Sequence, residues 1–110
     1  MDFLDDTLIE QYLDVLGFDV FLQTVALYVE QSSIYLKQLH QAIEQQDHAL
    51  WQESCHILKS ASGNTGLKQV FSKAGELEYS KQEFSSLAQG LAELEQLNIT
   101  SIERIQKRLA

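Results

Sequence analysis

His56-Ile57-Leu58-Lys59-Ser60-Ala61-Ser62-Gly63-Asn64-Thr65-Gly66-Leu67 decides how this chain is read, because helical geometry and reactive chemistry coincide in it. Wound at about 100° per residue together with the turn before it, the stretch separates into two opposite faces. Trp51, Ser54, Cys55, Leu58, Ala61, Ser62 and Thr65 gather on one side, a small-to-apolar seam suited to packing against other helices. His56, Lys59, Ser60 and Gly63 lie on the other. His56 is thereby predicted to point nearly away from the core, an odd place for a structural histidine and a good one for a reactive histidine.

Outward from this stretch the apolar pattern is helical throughout. Toward the N-terminus, Leu4, Leu8, Ile9, Tyr12, Leu13 and Leu16 predict a short helix from about Asp5 to Leu16, closed by Gly17. Asp19 is the expected cap of a second helix. Its stripe of Phe21, Val25, Tyr28, Ser32, Leu36, Leu39 and Ile43 runs for about 26 residues, or roughly 39 Å. Glu44-Gln45-Gln46-Asp47 reads as a turn, with Asp47 capping the third helix, which carries His56 and ends near Thr65-Gly66.

Toward the C-terminus, Leu67, Val70, Phe71, Ala74 and Leu77 form the inward stripe of a fourth helix. Ser80-Lys81-Gln82-Glu83 matches a capping box and predicts a new helix start there. The seam of that helix is Phe84, Leu87, Ala88, Leu91 and Leu94, with Gly90 a tolerated weakness of about 1 kcal/mol against alanine. A second box, Thr100 with Glu103, predicts a kink or break around Asn98 before Ile102, Ile105 and Leu109 resume the stripe. The expected fold is all-α: an antiparallel up-and-down four-helix bundle with an additional short N-terminal helix as a lid, one domain over residues 1–110.

Composition agrees with this reading. At 110 residues, without proline and with five glycines, the chain suits one helical domain that buries roughly two-thirds of its unfolded surface. Sixteen acids against eight Lys and Arg leave a formal charge of −8, which argues against nucleic acid and anionic membrane as partners. Cys55 has no second cysteine to pair with, so a disulfide scaffold is excluded. The start, Met1-Asp2-Phe3-Leu4-Asp5-Asp6, lacks a basic signal-peptide region, and the longest apolar run, Phe18 to Val29, is interrupted by Asp19, Gln23 and Thr24. A cytoplasmic protein is expected.

The ordered set His-x-Leu-Lys-Ser-Ala-Ser-Gly-x-x-Gly-Leu, followed by Ala74-Gly75-Glu76-Leu77-Glu78, resembles the signature of histidine-containing phosphotransfer (HPt) domains. The signature covers residues 55 to 78, and the helical pattern around it fits the family from end to end. Ser60 stands where the family more often has glycine, and Thr65 where it more often has an aliphatic residue. The resemblance implies a phosphorelay intermediate that accepts a phosphoryl group on His56 from a receiver-domain aspartyl phosphate and passes it to another receiver aspartate. Its partners would be response-regulator receiver domains or a hybrid sensor histidine kinase. No cofactor of its own is implied, the magnesium ion belonging to the receiver. Met1 and the compact end at Ala110 favour a free-standing bacterial protein, expected as a monomer.

The chemistry of the residues supports that implication. Free imidazole, with a pKa near 6.5, is mostly unprotonated at neutral pH and carries a lone pair on one ring nitrogen. A carboxylate accepting from the other ring nitrogen orients it as a nucleophile. By the resemblance that acceptor comes from the following helix, where Glu78 matches the position; a solvated surface glutamate is the alternative. Lys59, one turn beyond His56, is placed to offset phosphoryl charge. Residues 54 to 75 contain Lys59, Lys68 and Lys73 and no acid, a local basic collar on an acidic chain that would draw a receiver's acidic pocket.

Gly63, costly inside a helix, is read as making room for a partner's backbone, and Gly66 as serving either access or helix termination. Ser60 either lines the approach or bonds its own helix. With Lys68, these residues form the expected docking face. Cys55 is read as a small buried hydrophobe, and His40 and His48 lack the neighbours a metal site needs. No metal site, P-loop or ATP-binding segment is found, so a phosphocarrier is expected and not an autokinase. A non-phosphorylated adaptor for receiver or kinase domains is the runner-up, and a metal-dependent helical enzyme the third reading.

Overall fold

A computed structural model describes residues 2–110; the inference drawn from Met1 lies outside the described residues. Asp5 opens α1 (Asp6–Leu16) by accepting from the backbone N–H of Leu8 at 3.1 Å. Gly17, at φ +82°, closes α1 through its N–H to the Leu13 carbonyl. It also stands as the N-cap of α2 (Phe18–Gln45). Asp19 therefore does not cap α2. It lies in the first turn, where its charge complements the positive end of the helix dipole.

Asp47 caps α3 (His48–Gly63) as expected, accepting from Leu50 N–H at 3.0 Å. After α3 the chain turns through Gly66, at φ +78°, into α4 (Lys68–Glu78) and then crosses to α5 (Phe84–Leu109). In the bundle α2 lies beside α3 and α5, and α4 lies beside the same two helices, while α1 packs on α2. Short connections between successive neighbours make α2 to α5 alternate in direction. The 42 Å long axis of the molecule is close to the length of the 28-residue α2 at about 1.5 Å per residue. Phe21, Leu39, Trp51, Leu58, Val70, Leu87, Leu94 and Ile105 fill the core along it.

Further expectations are corrected. The Ser80–Glu83 box does not form: Ser80 still belongs to the exit of α4, its N–H bonded to the Leu77 carbonyl at 3.3 Å, and its hydroxyl accepts from Gln82 N–H. Helix α5 starts only at Phe84, behind an extended Glu83. It then runs unbroken through Asn98, because that buried amide finds its partners across the bundle. Tyr28 Oη donates to Asn98 Oδ1 at 2.7 Å and Asn98 Nδ2 donates to Ser32 Oγ at 3.1 Å. The Thr100 hydroxyl is taken up by Gln96, one turn back.

On the seam of α5, Ala88 is exposed and Gly90 is buried. A Cβ at Gly90 would stand 2.7 Å from Leu77 Cδ2, so this glycine lets α5 approach α4 closely and is not merely a tolerated weakness. Phe71, assigned to the inward stripe of α4, is 42% exposed. Its neighbours are described with the site.

Helix α1 closes the bundle end nearest the α3–α4 turn. Asp5 N–H donates to the Gly66 carbonyl at 2.8 Å, and Ile9 is fully buried against the same glycine. Arg108 near the end of α5 pairs with Asp6 and Glu10 of α1.

Candidate functional site

Two adjacent helices build the site. His56 projects from α3 with 63% of its side chain exposed, on the face opposite the buried Ser54, Cys55, Leu58 and Ser62. Facing it is Glu78, the last residue of α4, only 3% exposed. His56 Nδ1 and Glu78 Oε2 are 3.1 Å apart. A carboxylate can only accept, so the ring proton sits on Nδ1 and the lone pair on Nε2. The other carboxylate oxygen, Oε1, is buried and has no hydrogen-bond partner among the described residues, so the side-chain bond this carboxylate makes is to the imidazole.

The position of Glu78 is set from the core. Val70, Ala74 and Leu77 seat α4, and the indole of Trp51, one turn before Cys55 on α3, donates from Nε1 to the Leu77 carbonyl at 2.9 Å. The last carbonyls of a helix have no partner within it, and this bond supplies one next to Glu78.

His40 also meets a carboxylate, Glu95 at 2.9 Å, a pairing the sequence pattern did not reveal because it joins α2 to α5. Both members are substantially exposed, at 57% and 36%, so water competes for the bond and the ring is not held as His56 is. His48 stacks on Phe84 at 4.4 Å between ring centroids. Among the described residues no group of three or more His, Cys, Asp or Glu side chains is placed to hold a metal ion.

The expected basic collar is only partly assembled. Lys59 lies half-buried between α3 and α4, its Nζ 5.5 Å from the centre of the Phe71 ring. Lys68 borders an open groove of about 420 Å³ together with Ser60, Gly63 and Phe71, and pairs at 3.7 Å with the exposed Asp2. Lys73 turns the other way. It is bonded to Glu93 of α5 at 2.6 Å and to Glu76 at 3.7 Å, and these carboxylates, Glu93 first, hold its ammonium above the ordinary lysine range despite partial burial.

The glycines serve the chain's own packing. A Cβ at Gly63 would come within 2.9 Å of Phe71 Cδ2, so the space left open there is occupied by a ring of this chain and not left for a partner's backbone. Gly66 borders the groove but is itself buried: its positive φ turns the chain, and a Cβ would strike Ile9 Cγ1 at 2.6 Å. Ser60 is exposed at the groove, whereas the Thr65 hydroxyl is buried and donates to the Ala61 carbonyl at 2.8 Å. Threonine is thus accommodated in place of an aliphatic residue without an orphaned polar group.

Cys55 is wholly buried, and its thiol is pushed up to about 12 from an ordinary 9.0, by burial first and by the nearby Glu78 charge second. Native protein treated with iodoacetamide near pH 8 is expected to leave Cys55 unmodified while a denatured control labels fully; rapid native labelling would contradict the burial. Because the folded value lies above the unfolded one, this thiol's contribution to stability is complete below about pH 9 and is lost as pH rises toward 12. Thermal midpoints should fall across that window.

Fold and site together define a four-helix bundle that presents on its surface an exposed imidazole oriented by a buried carboxylate. The Hpt domain family matches residues 23–107, and the chain belongs to that family. Its function is histidine phosphotransfer in phosphorelay signalling. Hpt domains are phosphocarriers and not kinases, and they work with receiver domains and histidine kinases.

Among solved structures, the histidine-containing phosphotransfer domain of ArcB from Escherichia coli is similar at a TM-score of 0.87 and 19% identity, over 97% of this chain and 92% of that one. Histidine-containing phosphotransfer protein B (HptB) from Pseudomonas aeruginosa PAO1 is similar at the same score and identity, over 97% and 94%. At that identity the likeness carries the fold. No curated protein matches significantly. No helix among the described residues is long and apolar enough to cross a membrane.

Proposed function

We propose that His56 is the phosphoryl acceptor of this Hpt domain. Nε2 attacks the phosphorus of an aspartyl phosphate on a receiver domain; an N–P bond forms, the acyl-phosphate P–O bond breaks, and the aspartate leaves as a carboxylate. The reverse step, onto an aspartate of a second receiver, discharges the domain. The observation that carries the reading is the 3.1 Å contact between an exposed imidazole and a buried carboxylate, which leaves Nε2 as the nucleophile without further activation.

Lys59 offsets charge on the phosphoryl oxygens, while Ser60, Gly63 and Lys68 border the docking face. The magnesium ion sits in the receiver's acidic pocket. Transfer of this kind rests on positioning and charge stabilisation, which needs no nucleotide site on the carrier. We further place the protein in the cytoplasm as a monomeric single domain.

The test is phosphoryl transfer from several phosphorylated receiver domains to this chain, followed by acid and base treatment and peptide mapping. An acid-labile, base-stable label on the peptide containing His56 is expected. No label from any active receiver, with the protein folded, would sink the acceptor reading and favour an adaptor that only binds.

A further inference from the structure

Phe71 is a large aromatic side chain left 42% exposed at the edge of the site, and three contacts account for its place. A side chain at Gly63 would come within 2.9 Å of its Cδ2 and 3.2 Å of its Cε2, so the ring rests on bare α3 backbone. Lys59 Nζ stands 5.5 Å from the ring centre, inside the roughly 6 Å reach of cation–π attraction. A side chain at Gly75 would meet Lys59 Cε at 3.4 Å and Cδ at 3.5 Å, so the lysine stem runs over a second residue that has no side chain. Two glycines on facing helices thus open one track, holding a ring at one end and a lysine stem along it.

The manner in which Lys59 is held distinguishes it from its neighbours. Lys68 pairs with Asp2, and Lys73 with Glu76 and Glu93; among the described residues Lys59 has no carboxylate partner. A carboxylate would order the ammonium but neutralise it and compete with an incoming phosphoryl oxygen. An aromatic face orders it while leaving its charge available. A free lysine would have to give up the freedom of four side-chain torsions as the phosphoryl group arrives.

We propose that Phe71 is a positioning residue for phosphoryl transfer: a neutral clamp that keeps the Lys59 ammonium one helical turn from His56 without neutralising it, in space opened by Gly63 and Gly75. The proposal rests on His56 being the phosphoryl acceptor. It gives the exposed ring a role within this chain, acting through Lys59 and not by contact with the partner.

Two readouts test it. In the nuclear magnetic resonance spectrum of the unphosphorylated protein, the Lys59 side-chain methylene protons should be shifted upfield by the ring, a shift lost in Phe71→Leu and kept in Phe71→Tyr. The rate of phosphoryl uptake from a phosphorylated receiver should fall about twofold to fivefold in Phe71→Leu and recover in Phe71→Tyr. In a Lys59→Ala background, Phe71→Leu should cause no additional loss. An unchanged rate in Phe71→Leu, or the same loss with and without Lys59, would overturn the clamp while leaving a labelled His56 in place. A wild-type chain that takes no label would remove the acceptor reading and the clamp's role with it.

Discussion

His56→Gln is expected to abolish phosphoryl uptake completely while leaving the fold and the affinity for receiver domains within about twofold of the parent. The imidazole is 63% exposed and its hydrogen bond is to Glu78, so little core packing depends on it. Glutamine is the informative replacement. Its amide nitrogen is not nucleophilic, yet its N–H groups can still donate toward the Glu78 carboxylate, one of whose oxygens has no partner among the described residues. Alanine would leave that buried carboxylate wholly unpaired, at a cost on the order of 1–3 kcal/mol or more, and would confuse lost chemistry with lost stability. Uptake is followed by label transfer and affinity by titration with an unphosphorylated receiver. Label retained by the glutamine variant would move the acceptor elsewhere, with the Glu95-paired His40 the first to examine.

Trp51→Ala is expected to destabilise the domain by about 3–5 kcal/mol, a large share of the roughly 5–15 kcal/mol that holds such domains folded. Trp51 is 1% exposed and is the largest side chain fully buried in the core. Truncation also strips the indole donor from the Leu77 carbonyl at the end of α4. Thermal unfolding should register a midpoint lower by about 10–30 °C, and urea unfolding a midpoint at lower concentration. Trp51→Phe isolates the hydrogen bond, keeping much of the volume and losing roughly 1 kcal/mol by that route. A Trp51→Ala protein as stable as the parent would mean that the α3–α4 contact is not a principal support of the core.

Helix count and order, with the caps at Gly17 and Asp47, were legible in the sequence because they depend on local pattern. The stripe from Phe21 to Ile43 and the cap at Asp47 needed no tertiary knowledge. His56 could be named for the same reason, since a histidine opposite an apolar seam is a statement about helical period, whereas Glu78 came only from the family resemblance. What local pattern missed was decided across helices. Nothing near Asn98 announces that Tyr28 and Ser32, some 70 residues earlier, satisfy its amide, so a second capping box there read as a break. Gly90 looked like a defect until Leu77 was seen against it, and Gly63 like a space for a partner until Phe71 filled it. Lys73 was counted with the collar because neighbours in sequence share a charge; Glu93, on another helix, turns it away.

The chain of bonds from Tyr28 through Asn98 to Ser32 has a bearing on which of several nearly equivalent packings the bundle adopts. Long leucine-rich stripes can slide past each other by a turn and still meet apolar surface, so burial alone discriminates poorly between alignments. A buried amide does discriminate, since a slip of α5 against α2 would strand it without partners at roughly 1–3 kcal/mol for each orphaned group. Helices α2 and α5 thereby act as a keyed frame. Helices α3 and α4, which carry His56 and Glu78, pack on each other and also on α2 and α5 respectively, so the register fixed deep in the bundle adds to the direct α3–α4 packing behind the 3.1 Å contact at the surface.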